Sequence, residues 1–557
     1  MKKNILLFLI LTTLFPAAMS AQNWDWAKSA GGAQKVESYA IAIDSAGNNY
    51  ITGWFEDSLK FGTTTIVTST SGNAFASDIF IAKYDADGDF VWAKRAGGTN
   101  YDYGNGIATD AAGNAYITGL FTGTATFGTL SITSTTVDYD VFIAKYDANG
   151  NALWVKKGGG NVWDVGNGIT VDKFNNCYIT GAYRNTATFG TSSFTSAGNY
   201  DIYIAKYDSD GNFIWAQSAG GTDDDRGMSV STDASGNCYI TGFFKGTVTI
   251  ATNTLVSAGD SDILLAKYNT VGIAQWAKRA GGIAADEGSS IKTGTSGNIY
   301  VTGYFTDMAD FDTSSLTAYG NADIFVAKYD YKGDIIWVKK YGGTQNDKGY
   351  GISADTFNNI YVTGSFWGTG QFDTINAVSY NQDDAFVAGI DNQDKTKWVL
   401  HGGGVNIDVG RGIAASDYGR CYITGYFSGS AAFGANNITG FADNDLFVAK
   451  VDSTFIYDSV PINAGIKNTV SKYSRIAVYP NPFTTTVTVN IETTASITQV
   501  ELFDIVGKTA EFTITEMPGS SIQKQLVIHS EELANGVYFL KVMAGNQVYA
   551  ARLMLVK

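Results

Sequence analysis

The amino-acid sequence predicts an all-β protein, because two independent observations point to strands and turns. The first is composition: the 557 residues include 64 glycines, 32 tyrosines and 32 phenylalanines, and long runs of helix-forming residues are missing. The second is a repeat of about 61 residues, marked by the string Tyr-Ile-Thr-Gly or its valine variant. The string begins at Tyr50, Tyr116, Tyr178, Tyr239, Tyr300, Tyr361 and Tyr422.

Each repeat contains four short segments in which apolar residues alternate with polar ones. In the second repeat these segments are 106–110, 116–121, 140–146 and 153–157. Gly-Asn and Asn-Gly turns join them in pairs, and a loop of about twenty residues separates the two pairs. Each repeat is therefore predicted to be a four-stranded antiparallel sheet. Seven such sheets arranged radially form a seven-bladed β-propeller.

The ends of the repeat region predict how such a ring closes. The chain near its start reads Trp24-Asp25-Trp26-Ala27-Lys28, which matches the fourth segment of a repeat, whereas the seventh repeat stops after its third segment at Asp452. The N-terminal strand is therefore predicted to complete the last blade. Closure removes the free sheet edge of an open row, so a closed ring is favoured over an open solenoid.

The sequence outside the repeats predicts a processed and exported chain. Residues 1–21 combine two lysines, an apolar run and small residues, which is the pattern of a secretory signal peptide. The predicted propeller spans 22–452, a linker spans 453–474, and 475–557 show the alternation of a small β-sandwich. No later stretch reaches the roughly 18 apolar residues of a membrane span.

Charge and histidine content exclude several function classes. The formal net charge is −15, so the chain offers no basic surface for nucleic acid. Only His401 and His529 are present, which excludes a histidine-dependent catalytic triad or a site with several histidine ligands. No catalytic residue, metal ligand or cofactor is therefore assigned, apart from a Ca²⁺ ion expected at a ring of acidic residues.

The repeats resemble the SBBP repeat, a β-propeller repeat of bacterial proteins. The resemblance rests on strings such as Asp110-Ala-Ala-Gly-Asn-Ala-Tyr-Ile-Thr-Gly119 and Asp140-Val-Phe-Ile-Ala-Lys-Tyr146, which recur at regular spacing. It implies the propeller architecture but no single activity.

The C-terminal segment is similar to the type A sorting domain of the type IX secretion system of Bacteroidota. The similarity rests on four strings in order, at 478–483 (Val-Tyr-Pro-Asn-Pro-Phe), 501–508, 536–542 and 551–557. It implies periplasmic transit, passage through the outer-membrane translocon and removal of the domain. The protein would then be released or attached to the cell surface, with the secretion machinery as a partner of residues 475–557.

An acidic residue stands just before each predicted first strand. First strands line the central channel of a propeller, so these carboxylates are expected to form a ring at its mouth that favours a divalent ion such as Ca²⁺. The alternative is that each carboxylate caps its own loop or connects adjacent blades. The seven residues are Glu37, Asp102, Asp164, Asp225, Asp286, Asp347 and Asp408.

Three aromatic residues are candidates for ligand binding: Trp163, Trp367 and Tyr101. Trp163 lies in an inter-blade loop and Trp367 follows a second strand, so both are predicted on one face of the ring. A flat aromatic side chain on a polar rim suits stacking on sugars, although incidental packing is the alternative.

The function expected from these features is that of an exported binding module, adhesive or glycan-binding. The alternative is a polysaccharide-active enzyme, a hydrolase or lyase. Such an enzyme would need two carboxyl groups about 5–10 Å apart, one of them with a raised pKa.

Overall fold

The computed structural model describes residues 22–70, 76–416, 420–441 and 443–452, and most of 476–555. In that last range, positions 480–483, 494, 505–507, 521, 522, 530, 532, 535 and 546 are not described. The predicted signal peptide (1–21) and linker (453–474) lie outside the described residues. The chain divides into two compact units, Met1–Phe455 and Ile456–Lys557. No helix in the described parts is long and apolar enough to cross a membrane.

The first unit repeats one arrangement of four antiparallel strands, which we call a module. In module 2, Tyr103–Thr109 pairs with Ala115–Phe121, which pairs with Asp140–Tyr146, which pairs with Ala152–Gly160. The third strand is buried along its whole length, because the second and fourth strands flank it and neighbouring modules cover both faces. The described residues contain no helix, so the predicted all-β class is confirmed.

Equivalent strands recur along the described residues, and modules are numbered by the order of their first strands. The first strands are Val36–Ile43, Tyr103–Thr109, Val165–Val171, Asp225–Thr232, Glu287–Thr293, Lys348–Ala354 and Asp408–Ala415. The second strands are Asn49–Glu56, Ala115–Phe121, Cys177–Phe189, Cys238–Ile250, Ile299–Phe311, Ile360–Phe372 and Arg420–Phe427. The third strands are Ser77–Tyr84, Asp140–Tyr146, Ser192–Tyr207, Asn253–Tyr268, Ser314–Tyr329, Ile375–Ile390 and Asp445–Asp452. The fourth strands of modules 1 to 6 are Phe90–Gly97, Ala152–Gly160, Phe213–Ala219, Ala274–Gly282, Ile335–Gly342 and Thr396–Gly404.

Module 7 receives its fourth strand from the beginning of the chain. Trp24–Ala30 pairs antiparallel with Asp445–Asp452, so that Ala27 lies opposite Ala449. The Trp24 side chain is 6% exposed and its ring meets Phe433 edge-on, with 5.0 Å between the centroids. Strand pairing and aromatic burial therefore join the first and last parts of the repeat region.

A hairpin occupies the region between the second and third strands that was predicted as a loop, so this prediction was wrong. The two strands continue outward, and the hairpin reaches the fourth strand of the preceding module. For example, Ala187–Phe189 pairs with Gly158–Gly160. The added hairpin explains why the repeat is longer than four short strands require. In modules 1, 2 and 7 its arms are separate strands: Ser58–Phe61 with Thr64–Val67, Thr124–Phe127 with Leu130–Thr133, and Ser430–Phe433 with Asn436–Thr439.

The turns between first and second strands also hold neighbouring modules together. Asp110 Oδ1 accepts hydrogen bonds from the backbone amides of Ala112 and Asn114, and Gly113 takes φ +77° to complete the turn. The Tyr50 hydroxyl of module 1 donates to Gly113 O of module 2 at 2.9 Å. The tyrosine of the repeated string is therefore a contact between modules.

Modules 7 and 1 meet in the same way as other neighbours. A Cβ on Gly150 of module 2 would lie 3.0 Å from the ring of Trp92 in module 1. In the same way, a Cβ on Gly88 of module 1 would lie 2.7 Å from the ring of Trp26, which belongs to the fourth strand of module 7. Both glycines have φ near +80°, so a side chain at either position would meet strain as well as a ring.

The second unit contains two antiparallel sheets that share one core. The first sheet has four strands in the order Ile476–Tyr479, Thr486–Glu492, Gln523–His529 and Thr513–Ser520. The second has three strands in the order Ile497–Asp504, Gly536–Ala544 and Gln547–Leu555. Val489, Leu526, Leu502, Leu540 and Leu553 from both sheets are buried in one cluster. Alternate inward residues from two facing sheets are the arrangement of a small β-sandwich.

Candidate functional site

The first strands of the first unit surround a central cavity of about 590 Å³, and all seven modules contribute lining residues. First strands of consecutive modules are in contact, and the first strand of module 1 contacts those of modules 2 and 7. The cavity therefore lies where the modules converge.

A β-bulge in each first strand places one side chain on the cavity wall. In module 2 the pairing register shifts between Gly104 and Gly106, and Asn105 is the bulged residue. Gly104 packs so closely on module 1 that a Cβ would lie 2.3 Å from Thr52 Oγ1. The bulge residues that line the cavity are Tyr39, Asn105, Asn167, Met228, Ser289, Tyr350 and Arg411.

Arg411, one of these bulge residues, forms a cluster with three tyrosine rings. Its guanidinium carbon lies 4.3 Å from the ring centre of Tyr350, 5.5 Å from that of Tyr39 and 5.6 Å from that of Tyr426. A cation held over aromatic faces gains electrostatic attraction without a carboxylate partner. The cluster therefore joins modules 1, 6 and 7 at the cavity wall.

A line of aromatic side chains runs from this cluster toward the rim. The Tyr39 hydroxyl accepts a hydrogen bond from Trp54 Nε1 at 2.9 Å, and the Trp54 ring lies 5.2 Å from Tyr103. Tyr103 lies 6.4 Å from the ring of Tyr101. Burial raises the pKa of Tyr139, and the charge of Tyr101 raises it further.

Trp163 ends this line at the rim, with its ring 4.7 Å from Tyr139 and edge-on to it. Trp163 is 52% exposed, whereas Tyr139 and Tyr103 are half-buried. We call the set the aromatic band; its members are Tyr39, Trp54, Tyr103, Tyr101, Tyr139 and Trp163. Trp163 is its exposed member, the four tyrosines are half-buried, and Trp54 is buried at 8% exposure.

Two of the three aromatic candidates from the sequence belong to the aromatic band: Trp163 contacts Tyr139, and Tyr101 contacts Tyr103. Trp367 is 40% exposed, and its backbone amide donates to Asp347 Oδ1 at 2.9 Å. Among the described residues no ring contact connects Trp367 to the aromatic band. Sequence reasoning missed Tyr39 and Arg411, although the bulge position changes residue type in almost every repeat, which was an available signal.

The predicted acidic residues, apart from Glu37, are buried and bonded to backbone amides. Asp102 Oδ2 accepts from Gly98 N at 2.6 Å, and its Oδ1 accepts from Thr122 N at 3.0 Å. Gly98 follows the fourth strand of module 1 and Thr122 belongs to module 2, so one carboxylate connects two modules. The same two contacts recur at Asp164, Asp225, Asp286, Asp347 and Asp408.

None of these seven acidic residues lines the central cavity. In the described parts of the chain, no group of three or more histidine, cysteine or acidic side chains is placed to hold a metal ion. Both oxygens of Asp102 already accept amide hydrogens. A calcium ion at this ring stays a prediction that these contacts do not support.

Glu37 does not belong to this set, so its assignment from the sequence was wrong. Glu37 lies opposite Trp54, and Tyr103 lies opposite Leu120, which makes Glu37 equivalent to Tyr103. The equivalent of Asp102 is Val36. Glu37 instead accepts hydrogen bonds from the Tyr39 hydroxyl and from Asn444 Nδ2. It supports the aromatic band.

Paired carboxylates with a raised pKa do occur, but they are inaccessible. A Cβ on Gly97 would lie 2.8 Å from both Asp102 Oδ2 and Asp78 Oδ1, so the two acids flank this glycine. Burial raises the pKa of Asp102 to about 8 and also raises that of Asp78, which Arg95 opposes from 2.6 Å. Both aspartates are 0% exposed. Such a pair cannot reach a polysaccharide, and its recurrence at Gly159, Gly281 and Gly342 indicates a structural role.

The buried aspartates predict that the propeller is more stable at pH 5 than at pH 9. Burial raises the pKa of Asp164, Asp225, Asp286 and Asp408 to about 7 and that of Asp347 to about 6. Each lies above the value of about 3.9 in unfolded chains. The resulting stabilisation is complete below pH about 4 and is lost as the pH rises through about 6 to 8.

Thermal unfolding followed by circular dichroism across this range measures the effect. The Asp102→Asn variant should show a flatter dependence of the unfolding temperature on pH than the parent protein. Asp210→Asn, in an exposed turn, is the matched control and should leave the slope unchanged. An unfolding temperature that rises steadily from pH 5 to pH 9 would contradict the prediction.

An all-β unit whose first strands surround a cavity defines a protein of the β-propeller class. Two stretches, 91–120 and 336–369, match the beta-propeller repeat called SBBP. Residues 477–557 match the secretion system C-terminal sorting domain. The chain therefore carries SBBP propeller repeats and ends in a type IX sorting domain, which directs secretion or cell-surface localisation.

Two curated proteins are similar to parts of the chain. An uncharacterized WD repeat-containing protein of Acanthamoeba polyphaga mimivirus is 30% identical over 246 residues, which is 36% of this chain and 18% of that protein. The regulatory protein FlaEY of Caulobacter vibrioides is 27% identical over 159 residues, which is 27% of this chain and 16% of that protein. The matched region therefore spans less than a fifth of either relative.

Two solved structures are similar over more than three quarters of the chain. The crystal structure of Sqt1 from Chaetomium thermophilum has a TM-score of 0.38 at 8% identity and covers 77% of this chain and 99% of its own. The structure of YCF48 bound to D1 peptide has a TM-score of 0.37 at 8% identity and covers 79% and 98%. Both TM-scores are below 0.5, so neither similarity supports a statement about function.

Proposed function

We propose that this protein is a closed seven-bladed propeller that leaves the cell and binds a glycan chain along the aromatic band. Three contacts support closure. Trp24–Ala30 pairs with Asp445–Asp452, Trp26 packs on Gly88, and Thr424 Oγ1 donates to Ser38 Oγ at 2.7 Å between modules 7 and 1. The sorting domain supports export.

The observation that carries the binding proposal is the aromatic band itself. Tyr39 at the cavity, Trp54 and Tyr103 are joined by a hydrogen bond and a ring contact, and the half-exposed Trp163 at the rim contacts Tyr139. Aromatic rings that keep one exposed face or edge stack on the apolar faces of sugar rings, and their polar tips bond to hydroxyls. A row of rings suits an extended chain better than a single small molecule.

Polar groups at the cavity end supply hydrogen bonds that fix orientation. Asn105 Nδ2 donates to Gly166 O and Asn167 Nδ2 donates to Gly227 O, each at 2.9 Å. These bonds hold the amides in place and leave each side-chain oxygen as an acceptor on the cavity wall. A few fixed polar groups beside aromatic surface are typical of ligand sites.

A glycan array with the purified protein identifies the ligand class, and titration calorimetry then measures variants. Trp163→Ala should weaken binding about tenfold, because an aromatic stacking contact contributes about 1.5 kcal/mol. Tyr331→Ala is the matched control. Tyr331 is 58% exposed but lies in the turn between third and fourth strands, at the opposite end of the modules, so affinity should not change.

Equal affinity of the Trp163→Ala variant and the parent protein, or no glycan bound on the array, would refute the proposal. The alternative, a polysaccharide-active enzyme, predicts shortened or unsaturated products. Chromatography of each bound polysaccharide after incubation distinguishes binding from cleavage.

A further inference from the structure

Lys292 introduces a positive charge into the central cavity at a first-strand position where the other modules have small residues. We call equivalent first-strand positions one level of the cavity. In the first strand of module 5 it lies opposite Tyr300, and its side chain is among those lining the cavity. The residues opposite the equivalent tyrosines are Ala42, Ala108, Thr170, Ser231, Ser353 and Ala414. A long cationic side chain therefore enters space that small side chains leave open.

The Lys292 ammonium has no hydrogen-bond or ion-pair partner among the described residues. The charged groups that share the cavity wall all have partners. Asp44 accepts amide hydrogens of its own turn, Arg411 lies over three tyrosine rings, and Arg420 Nε is 3.7 Å from Asp452 Oδ1. Burial alone lowers the pKa of Lys292. Lys292 is half-buried, and a partly desolvated charge without a counter-charge costs free energy, which an anion would offset.

Module 5 also lacks the acidic turn residue found in most modules. In module 2, Asp110 Oδ2 lies 3.7 Å from Lys145 Nζ. Module 5 has Gly294 at the position of Asp110, two residues after Lys292, and Lys328 pairs instead with Asp394 at 2.7 Å. The lysine and the missing carboxylate both make this side of the cavity more positive.

The neighbouring module places a hydroxyl at the same strand position on the cavity wall. Ser353 of module 6 lines the cavity at the same level, and its Oγ accepts a hydrogen bond from Ala415 N at 3.1 Å. That bond uses an acceptor lone pair and leaves the hydroxyl hydrogen to donate.

We propose that the cavity beside Lys292 binds a small oxyanion, a phosphate or a carboxylate, through an ion pair to Lys292 Nζ and a hydrogen bond from Ser353 Oγ. The site is separate from the aromatic band, so it does not depend on glycan binding. Charge-assisted bonds of this kind are roughly twice as strong as neutral ones.

Thermal unfolding of the whole protein with and without inorganic phosphate or acetate tests the proposal. A bound anion stabilises the folded state, so either anion should raise the unfolding temperature of the parent protein. Lys292→Ser should abolish that rise and should unfold at a higher temperature than the parent when no oxyanion is present. Lys332→Ser, which removes an exposed lysine of the same module, should respond to the anion as the parent does.

Serine already occupies this level in modules 4 and 6, so the Lys292→Ser variant is expected to fold. A second measurement does not depend on any variant: bound phosphate should slow acetylation of Lys292 relative to Lys332, read by mass spectrometry of peptides. The proposal is overturned if neither anion changes the unfolding temperature of the parent, or if the Lys292→Ser variant keeps the full rise.

Discussion

Deletion of residues 23–32 is expected to cause aggregation and the largest loss of stability of any change considered. Without Trp24–Ala30, the strand Asp445–Asp452 becomes a sheet edge with unpaired backbone groups and an uncovered apolar face. Leu446, Val448 and Ala449 in that strand are fully buried in the intact chain. Size-exclusion chromatography and thermal unfolding measure the outcome. An unchanged unfolding temperature would contradict a closed ring.

Two substitutions separate packing from charge in the same strand. Trp24→Ala removes a ring that packs on Phe433 and donates from Nε1 to His401 O, so a loss of about 3–5 kcal/mol is expected. Asp25→Asn removes only the ion pair between Asp25 and Lys450. The Asp25 side chain is 44% exposed, so the loss should be less than about 1 kcal/mol. Similar losses for both variants would show that the strand does not close the sheet by packing.

Deletion of residues 478–557 is expected to abolish export, with the propeller retained in the periplasm. This segment lies within the sorting domain, which directs secretion or cell-surface localisation. Immunoblots of medium, cell surface and periplasm of producing cells measure the distribution. Normal amounts of the shortened protein outside the cell would refute the role of the sorting domain.

Two neighbouring residues on one strand show whether the folded state of the sorting domain matters. In Gly536–Ala544, Leu540 is 1% exposed within the core and Phe539 is 44% exposed on the other face. Leu540→Asp buries an unpaired charge and should block export as the deletion does. Phe539→Asp adds the same charge at the surface and should be exported normally. Equal export of both variants would indicate that recognition needs only a short linear motif.

Strand content and the repeat could be predicted because they depend on local signals. Alternation of apolar residues, Asn-Gly turns and the recurring Tyr-Ile-Thr-Gly string require no knowledge of distant contacts. The pairing of the N-terminal strand with Asp445–Asp452 was also predictable, because an incomplete last repeat needs one more strand. The spacing even contained the correction for Glu37: Asp102 precedes Tyr116 by 14 residues, and 14 residues before Tyr50 is Val36.

The outer hairpins could not be predicted from the same signals. Residues 186–195 are mostly threonine, serine and glycine, which resembles a surface loop, and only Ala187 and Phe189 among them are buried. They become strands because Ala187–Phe189 pairs with the fourth strand of the preceding module. That pairing partner lies in another repeat, so no window of one repeat reveals it.

The sequence by itself determined the strands, the turns and the sorting domain, since side-chain alternation and turn residues act over a few positions. Only the tertiary structure decided which residues share a site. Tyr39, Trp54 and Tyr103 come from two modules and meet because the modules pack side by side. Lys292 became notable only once the seven first strands surrounded one cavity. Burial, charge compensation and access are properties of that packing, and they distinguish a buried structural aspartate from a site that a ligand can reach.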